Sequence, residues 1–232
     1  MPRLPPSRLA IAGACLAVMS ATHIATARAE TFDSHYSSIA AKHCKKHVNL
    51  KIDDTEYAVS RVCPGAAGYK VYVDEEDLRE TLTIGKTAKQ AISEPAADDH
   101  FGAFNGFEDT IEWRSGKDRN KDRKPFAAIV GWYFADNEHP EKSGRPKSAR
   151  LLVVLRLPPG PVCSVAYIDR AANPDASTLA RKAADEIARD FKCSVDTVHI
   201  LGKRGDAINA RFPADFAKPD ATKPDTTIPD KP

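Results

Sequence analysis

The pattern of hydrophobic and polar positions predicts a series of short β-strands. Apolar runs of strand length recur between turn residues at 56–62, 69–73, 81–84, 110–113, 126–135, 151–157 and 162–168. The runs at 126–135 and 151–157 are almost continuously apolar, which indicates strands that are buried on both faces of a sheet. We therefore expect these two strands at the centre of the fold.

A helix is predicted after the last strand, between Asn173 and Cys193. Asn173 is a favourable N-cap, and Pro174 suits the first helical position because its missing N–H has no intrahelical partner there. Apolar side chains recur at four-residue spacing on one face, namely Leu179, Ala183, Ile187 and Phe191. A looser helical pattern covers residues 33–47.

The first 29 residues have the pattern of a secretory signal peptide. Two arginines precede an apolar core at 9–19, which is much shorter than the ~20 residues of a membrane-spanning helix. Small residues at Ala27 and Ala29 predict cleavage between Ala29 and Glu30. A lipoprotein signal at Cys15 is the weaker alternative, because Ala12 occupies a position where such signals have leucine.

Removal of this segment changes the charge of the chain. The full sequence has 34 basic and 32 acidic residues, and the segment contains Arg3, Arg8 and Arg28 but no acidic residue. The exported chain therefore has 31 basic residues against 32 acidic ones. This balance does not support nucleic acid as a partner.

Four cysteines remain after cleavage: Cys44, Cys63, Cys163 and Cys193. An even number in an exported chain favours two disulfides, although four cysteines allow three connectivities. If the predicted helix runs back over the strand at 162–168, Cys193 returns close to Cys163. Sequential pairing, Cys44 with Cys63 and Cys163 with Cys193, closes two local loops and is the pairing that we expect.

The order of elements predicts an α+β fold, in which an antiparallel β-sheet meander is packed by a C-terminal amphipathic helix and stapled by two disulfides. One domain is expected over residues 30–212. Residues 213–232 are rich in proline, lysine and aspartate and poor in apolar residues, so they are expected to form a disordered tail.

Several segments resemble a family of exported bacterial proteins that has no assigned function. They are Cys63–Gly65 with Gly68 and Tyr69, Phe101–Asn105, Glu112–Arg114, Ala166–Asp169, and Asn173–Asp175 followed by Cys193. The resemblance covers most of the exported chain. It implies export and a shared fold, but no activity.

The most concentrated charge feature is the segment 114–124, which has six basic residues and two aspartates between two predicted strands. Such a cationic loop can attract an anionic partner, and the attraction is screened by salt. The candidate contacts are Lys117, Arg119, Lys121 and Arg123. The alternative is a solvated hairpin loop.

Other clusters suggest chemistry less strongly. His43 and His47 lie four residues apart and could bind zinc with Cys44, but a disulfide at Cys44 excludes the thiolate ligand. The acidic turn 74–77 lacks the ligand alternation of a calcium loop. The four aromatic residues Trp113, Trp132, Tyr133 and Phe134 are expected in the core and on the sheet surface, with a ligand pocket as the alternative.

The sequence contains no Gly-x-Ser-x-Gly or His-Glu-x-x-His motif and no phosphate or dinucleotide fingerprint. We therefore expect no catalytic, cofactor or metal site. The leading hypothesis is a non-enzymatic exported protein, periplasmic or secreted, that binds a partner such as anionic envelope material. The alternative is a small envelope hydrolase, which a pocket gathering Asp99, His100 and Glu112 would favour.

Overall fold

The computed structural model describes residues 30–52, 54–116 and 124–211. The strands are β1 (Phe32–Ser38), β2 (Lys45–Ile52), β3 (Thr55–Pro64), β4 (Lys70–Glu76), β5 (Arg79–Gly85), β6 (Asn105–Gly116), β7 (Pro125–Asp136), β8 (Lys147–Arg156), β9 (Ser164–Asp169) and β10 (His199–Ile200). The α-helices are α1 (Ala88–Ile92), α2 (Ala176–Glu186) and α3 (Asp206–Arg211).

These strands form two sheets rather than the single predicted meander. The large sheet has the order β1-β6-β7-β8-β9-β10, and the small sheet has the order β2-β3-β4-β5. Both are antiparallel apart from the short parallel pair of β9 and β10. The predicted antiparallel pairing of consecutive strands is confirmed within each sheet, but the prediction of one sheet is wrong. Strand β1 pairs with β6, with Phe32 opposite Gly116, although the strands of the small sheet lie between them in the sequence.

The helix predicted at 33–47 is also absent. This segment contains β1, a short 3-10 turn at Ala41–His43 and the start of β2. Its apolar residues are few, and its strand conformation depends on partners far away in the chain. Such pairing overrides the weak local pattern.

The main core lies between the two sheets. The continuous apolar pattern of β7 arises because alternate side chains point to opposite faces and both faces are covered. Val130, Trp132 and Phe134 face the small sheet, whereas Ala127 and Ile129 pack with helix α2 on the other face. The strands at 126–135 and 151–157 are thus central, as predicted.

Helix α2 is shorter than the predicted helix, and further elements follow it. Its buried face contains Ala180, Ala183 and Ala184 and lies on the large sheet. Asn173 is not its N-cap. The Asn173 side chain donates to the carbonyl oxygens of Asp169 and Lys203, both at 2.9 Å, and accepts from the Lys203 N–H at 2.7 Å. It therefore ties the chain before α2 to the segment before α3.

Both expected disulfides are present. The Cα–Cα distance is 4.3 Å for Cys44–Cys63 and 5.9 Å for Cys163–Cys193. Paired cysteines of this kind are typical of proteins that fold outside the cytoplasm. Among the described residues, no helix has the length and hydrophobicity needed to cross a membrane. The predicted signal at 1–29 and tail at 213–232 lie outside the described residues and stay predictions.

Candidate functional site

A cavity of the described structure lies where the β4–β5 hairpin meets β7 and β8. Its volume is about 410 Å³, within the range of ~300–1,000 Å³ that is usual for ligand pockets. We call it the aromatic cleft. It is lined by Glu75, Leu78, Glu80, Phe104, Asn105, Tyr133, Phe134, Ala135, Pro146, Lys147 and Ser148.

Exposed apolar side chains are concentrated in this cleft. Six large hydrophobic residues of the described chain are exposed, and three of them line it. These are Leu78, Phe104 and Tyr133, with exposed fractions of 59%, 50% and 43%. A single exposed hydrophobic residue is ordinary, whereas a contiguous group marks an interaction surface.

Leu78 has an unusual backbone conformation. Asp77 and Leu78 form the tip of the β4–β5 hairpin, with φ values of +49° and +61°. Two positive φ values define the turn that hairpins most often build from Asn-Gly or Asp-Gly. A residue with a Cβ is disfavoured there by about 1–2 kcal/mol. Leu78 therefore carries a conformational cost without the compensation of burial.

Glu80, the residue at the floor of the cleft, is held in an ion pair with Arg61. Two nitrogens of the Arg61 guanidinium donate to the two carboxylate oxygens of Glu80, at 2.6 and 3.1 Å. The Phe107 N–H also donates to Glu80, at 2.8 Å. Asn105 accepts from the Glu80 N–H at 3.1 Å and from the indole N–H of Trp132 at 2.8 Å. These bonds hold the floor rigidly before any ligand arrives.

The wall at Phe104 is held by neighbouring backbone and by a cation. The Ala135 N–H donates to the carbonyl oxygen of Phe104 at 2.9 Å. The Arg79 guanidinium lies 5.0 Å from the centre of the Phe104 ring, and its Nε donates to the Gly102 carbonyl at 2.7 Å. Phe104 thus presents one ring face to a fixed cation.

Tyr133 crosses the floor because Gly106 has no side chain. A methyl group at Gly106 would lie 2.6 Å from the Tyr133 hydroxyl oxygen and 3.2 Å from Glu80 Oε2. Burial raises the pKa of the Tyr133 hydroxyl, as does the negative charge of Glu80, while Arg61 acts in the opposite direction. The hydroxyl therefore stays protonated at neutral pH and can donate a hydrogen bond.

The residues of the hydrolase alternative are not gathered in one pocket. Asp99 accepts hydrogen bonds from Ser164, at 2.6 Å, and from the Tyr167 hydroxyl on the side of the large sheet that faces the small one. Glu112 pairs with Arg181 of helix α2 on the opposite side, at 2.7 Å. His100 contacts the carbonyl oxygen of Asp98 at 2.8 Å.

The other candidate clusters also have structural roles. Cys44 is in a disulfide, so it cannot serve as a thiolate ligand with His43 and His47. In the acidic turn, Asp74 accepts from the Ser60 N–H and hydroxyl, both at 3.3 Å. Asp77 pairs with Arg79 at 2.5 Å. Neither arrangement gathers a set of free ligands.

The cationic loop falls largely outside the described residues. Its candidate contacts Lys117, Arg119, Lys121 and Arg123 all lie there, so their prediction is not tested. Arg114, which the sequence placed in the loop, is instead a buried residue of β6. Its guanidinium pairs with Asp185 of helix α2, at 2.9 and 2.5 Å.

A second cavity of about 230 Å³ shares Lys147 and Ser148 with the aromatic cleft. Beside it, the ligand atoms of Asp136, His139 and Asp206 all lie within 4.8 Å of one another. We call these three residues the Asp136 cluster. They are a possible donor set for a metal ion, and the sequence prediction did not include them.

The Asp136 carboxylate is held from several sides. It accepts from the backbone N–H groups of Glu138 and His139, at 3.0 and 3.1 Å, and faces His139 Nδ1 at 3.0 Å. Burial is the largest single influence and acts to raise the pKa of Asp136, but the hydrogen bonds and the charge of His139 together outweigh it, so the pKa lies below its ordinary value. Asp136 is therefore a buried carboxylate that stays ionised at neutral pH.

The sequence analysis named Tyr133 and Phe134 as aromatic features, Glu75 within the acidic turn and Phe104 and Asn105 within a segment of the family resemblance, but it did not bring them together in one site. Leu78 carried a usable signal, because a leucine directly after an acidic turn stands where hairpins favour glycine or asparagine. The Asp136 cluster carried no local signal, since Asp206 is distant from Asp136 in the chain.

No protein family model, curated protein or solved structure matches this chain. The resemblance to exported bacterial proteins therefore stays a prediction.

Proposed function

We propose that the protein is an exported, periplasmic or secreted, non-enzymatic binding protein that holds a protein partner in the aromatic cleft. The observation that carries this proposal is the combination at Leu78 of a positive φ and an exposed apolar side chain. Glycine would adopt this backbone conformation at lower cost. A polar side chain would be more favourable than leucine in contact with water. A role in binding accounts for both departures.

The surroundings of Leu78 support the same interpretation. Phe104 and Tyr133 expose further apolar surface in the same cavity, and the lining carboxylate of Glu80 is held in place by Arg61. Binding hot spots combine apolar or aromatic anchors with a pocket that is formed in advance. The two sheets supply such a pocket where the hairpin tip of the small sheet meets the ends of β7 and β8 in the large sheet.

The lining chemistry indicates the kind of partner. An apolar or aromatic side chain fits against Leu78 and Phe104, where it would remove their surfaces from water. The Tyr133 hydroxyl can donate to a backbone carbonyl of the partner, and the exposed carboxylate of Glu75 can accept from a donor group. A polypeptide segment offers all three groups.

The proposed contact of anionic envelope material with the cationic loop concerns other residues of the chain. Its four candidate residues lie outside the described chain, so this part of the hypothesis stays a prediction. The hydrolase alternative gains no specific observation, because Asp99 and Glu112 lie on opposite sides of the large sheet.

The proposal is tested by capture from an envelope extract with immobilised protein. Phe104→Ser removes an exposed cleft aromatic, and Val195→Ser removes an apolar side chain that is 76% exposed and lies elsewhere. Proteins bound to the wild type should be bound equally by Val195→Ser and about tenfold less by Phe104→Ser, a loss of ~1.4 kcal/mol. Equal capture by Phe104→Ser and the wild type would overturn the proposal.

A further inference from the structure

We propose that the Asp136 cluster binds a divalent transition-metal ion of the Zn²⁺ type. Its members come from three separate elements: Asp136 ends β7, His139 lies in the connection to β8, and Asp206 begins α3. Their ligand atoms lie within 4.8 Å of one another. The proposal does not depend on what occupies the aromatic cleft.

The donor set suits such an ion. Zinc binds imidazole nitrogen and carboxylate oxygen at about 2.0–2.2 Å, so two ligands of one ion are at most ~4.4 Å apart. The three side chains therefore need to approach by only a few tenths of an ångström. His139 and Asp206 are exposed and can move, while Asp136 is fixed by its hydrogen bonds.

The second cavity is lined by three carboxylates, Asp136, Asp169 and Asp206, and by two cations, Lys147 and Arg150. The Asp136 side chain is only 1% exposed, and its ion-pair partner among the described residues is the imidazole of His139, which is charged only when protonated. Asp169, another wall residue of the second cavity, is fully buried and accepts from the backbone N–H groups of Ala171, Ala172 and Ala207. Buried charges in proteins are usually paired or bound to metal.

Three protein ligands leave at least one coordination position for water or another ligand. The second cavity borders Asp136 and Asp206, so it provides space for that position. Because Lys147 and Ser148 line both cavities, a ligand on the ion would lie next to the aromatic cleft.

Lys147 is the competitor of the proposed ion. Its ammonium lies 3.5 Å from the Asp206 carboxylate, and its side chain is 54% exposed. An incoming cation must displace this ammonium from Asp206, since like charges repel. Removal of the lysine charge should therefore strengthen metal binding, whereas removal of a ligand should weaken it.

The test uses the exported protein, stripped of metal with a chelator and titrated with Zn²⁺ by calorimetry. We expect one ion per chain, about tenfold or greater weakening in His139→Ala and in Asp206→Asn, and tighter binding in Lys147→Gln. His100→Ala is the matched control and should bind as the wild type does. Circular dichroism in chelator checks that each variant is folded.

Titration with Co²⁺ gives an independent readout, because its visible absorption reports direct coordination. An absorption band that appears in the wild type and disappears in His139→Ala supports the proposal. It is overturned if the wild type binds neither ion. It is equally overturned if His139→Ala and Asp206→Asn bind Zn²⁺ as tightly as the wild type.

Discussion

The backbone N–H of Asn105 donates a hydrogen bond to the carbonyl oxygen of Leu78 at 3.0 Å. This bond joins the tip of the β4–β5 hairpin, in the small sheet, to the first residue of β6, in the large sheet. The two walls of the aromatic cleft are thereby attached to each other. A partner finds the cleft formed in advance and does not have to order it.

The Arg61–Glu80 pair should behave as a buried ion pair. Both side chains are nearly buried, at 13% and 11% exposure. Arg61→Leu leaves the Glu80 carboxylate without its cation and should lower the free energy of unfolding by about 3–5 kcal/mol. The double variant Arg61→Leu with Glu80→Leu should recover part of this loss, because the stranded charge is gone but the buried Phe107 N–H loses its acceptor.

Chemical denaturation of the wild type, both single variants and the double variant measures this coupling. Arg61 Nε is buried and has no hydrogen-bond partner among the described residues. Hydrogen bonds therefore do not fully offset the cost of burying the guanidinium, even in the wild type. If the effects of the two single changes simply add in the double variant, the pair is not energetically coupled and this interpretation is wrong.

The pKa of Glu30 should depend on Arg189. Two guanidinium nitrogens of Arg189 donate to the Glu30 carboxylate, both at 2.8 Å. The hydrogen bond and charge of Arg189 lower this pKa from 4.5, against a smaller opposing effect of burial. Arg189→Gln should therefore raise it toward 4.5, as measured by NMR titration of the carboxyl carbon.

The sign of the stability effect follows from the lowered pKa. The contribution of the pair is present above the ordinary pKa of the carboxyl and is lost as pH falls through the lowered one. Wild type and Arg189→Gln should therefore converge in stability in acid. An unchanged Glu30 pKa in Arg189→Gln would show that the pair does not persist in solution.

The exported protein should begin at Glu30. The sequence predicts cleavage after Ala29, and the carboxylate of the following residue, Glu30, is paired with Arg189. Intact mass of protein recovered from the cell envelope or medium measures the start. Retention of Met1, or a lipid on Cys15, contradicts the prediction.

Strand identity was largely predictable, and sheet membership was not. The apolar run at 126–135 indicates a buried strand from its own sequence, because both faces of β7 are covered. Strand β1 has a partner far along the chain, so nothing within residues 32–38 indicates whether it pairs with β2 or with β6. Local pattern reports the environment of a residue, not the identity of its neighbours.

The same limit applies to the candidate sites. The cysteine pairing was predicted correctly by a preference for local loops, although the sequence alone left three connectivities open. The aromatic cleft depends on where two sheets end relative to each other, and the Asp136 cluster on where α3 begins. Asn173 is a suitable N-cap residue by its local sequence, but its side chain instead donates hydrogen bonds to the carbonyl oxygens of Asp169 and Lys203.

The cationic loop hypothesis has a direct test by neutralisation. Replacement of Lys117, Arg119, Lys121 and Arg123 by Gln should change the free energy of unfolding by no more than about 0.5 kcal/mol, since surface substitutions usually cost little. It should weaken association with anionic envelope vesicles and reduce its salt dependence. Equal association of both proteins at every ionic strength means that the loop is only solvated.

The central claim is that Leu78 is present for binding and not for folding. The most direct measurement compares Leu78→Gly with the wild type in thermal stability and in capture of the envelope partner. Because Asp-Gly suits a turn with two positive φ values, the variant should gain about 0.5–1 kcal/mol in the free energy of unfolding. Its capture of the partner should fall about tenfold, as for Phe104→Ser. A variant that loses stability and still captures the partner as the wild type does would contradict the account.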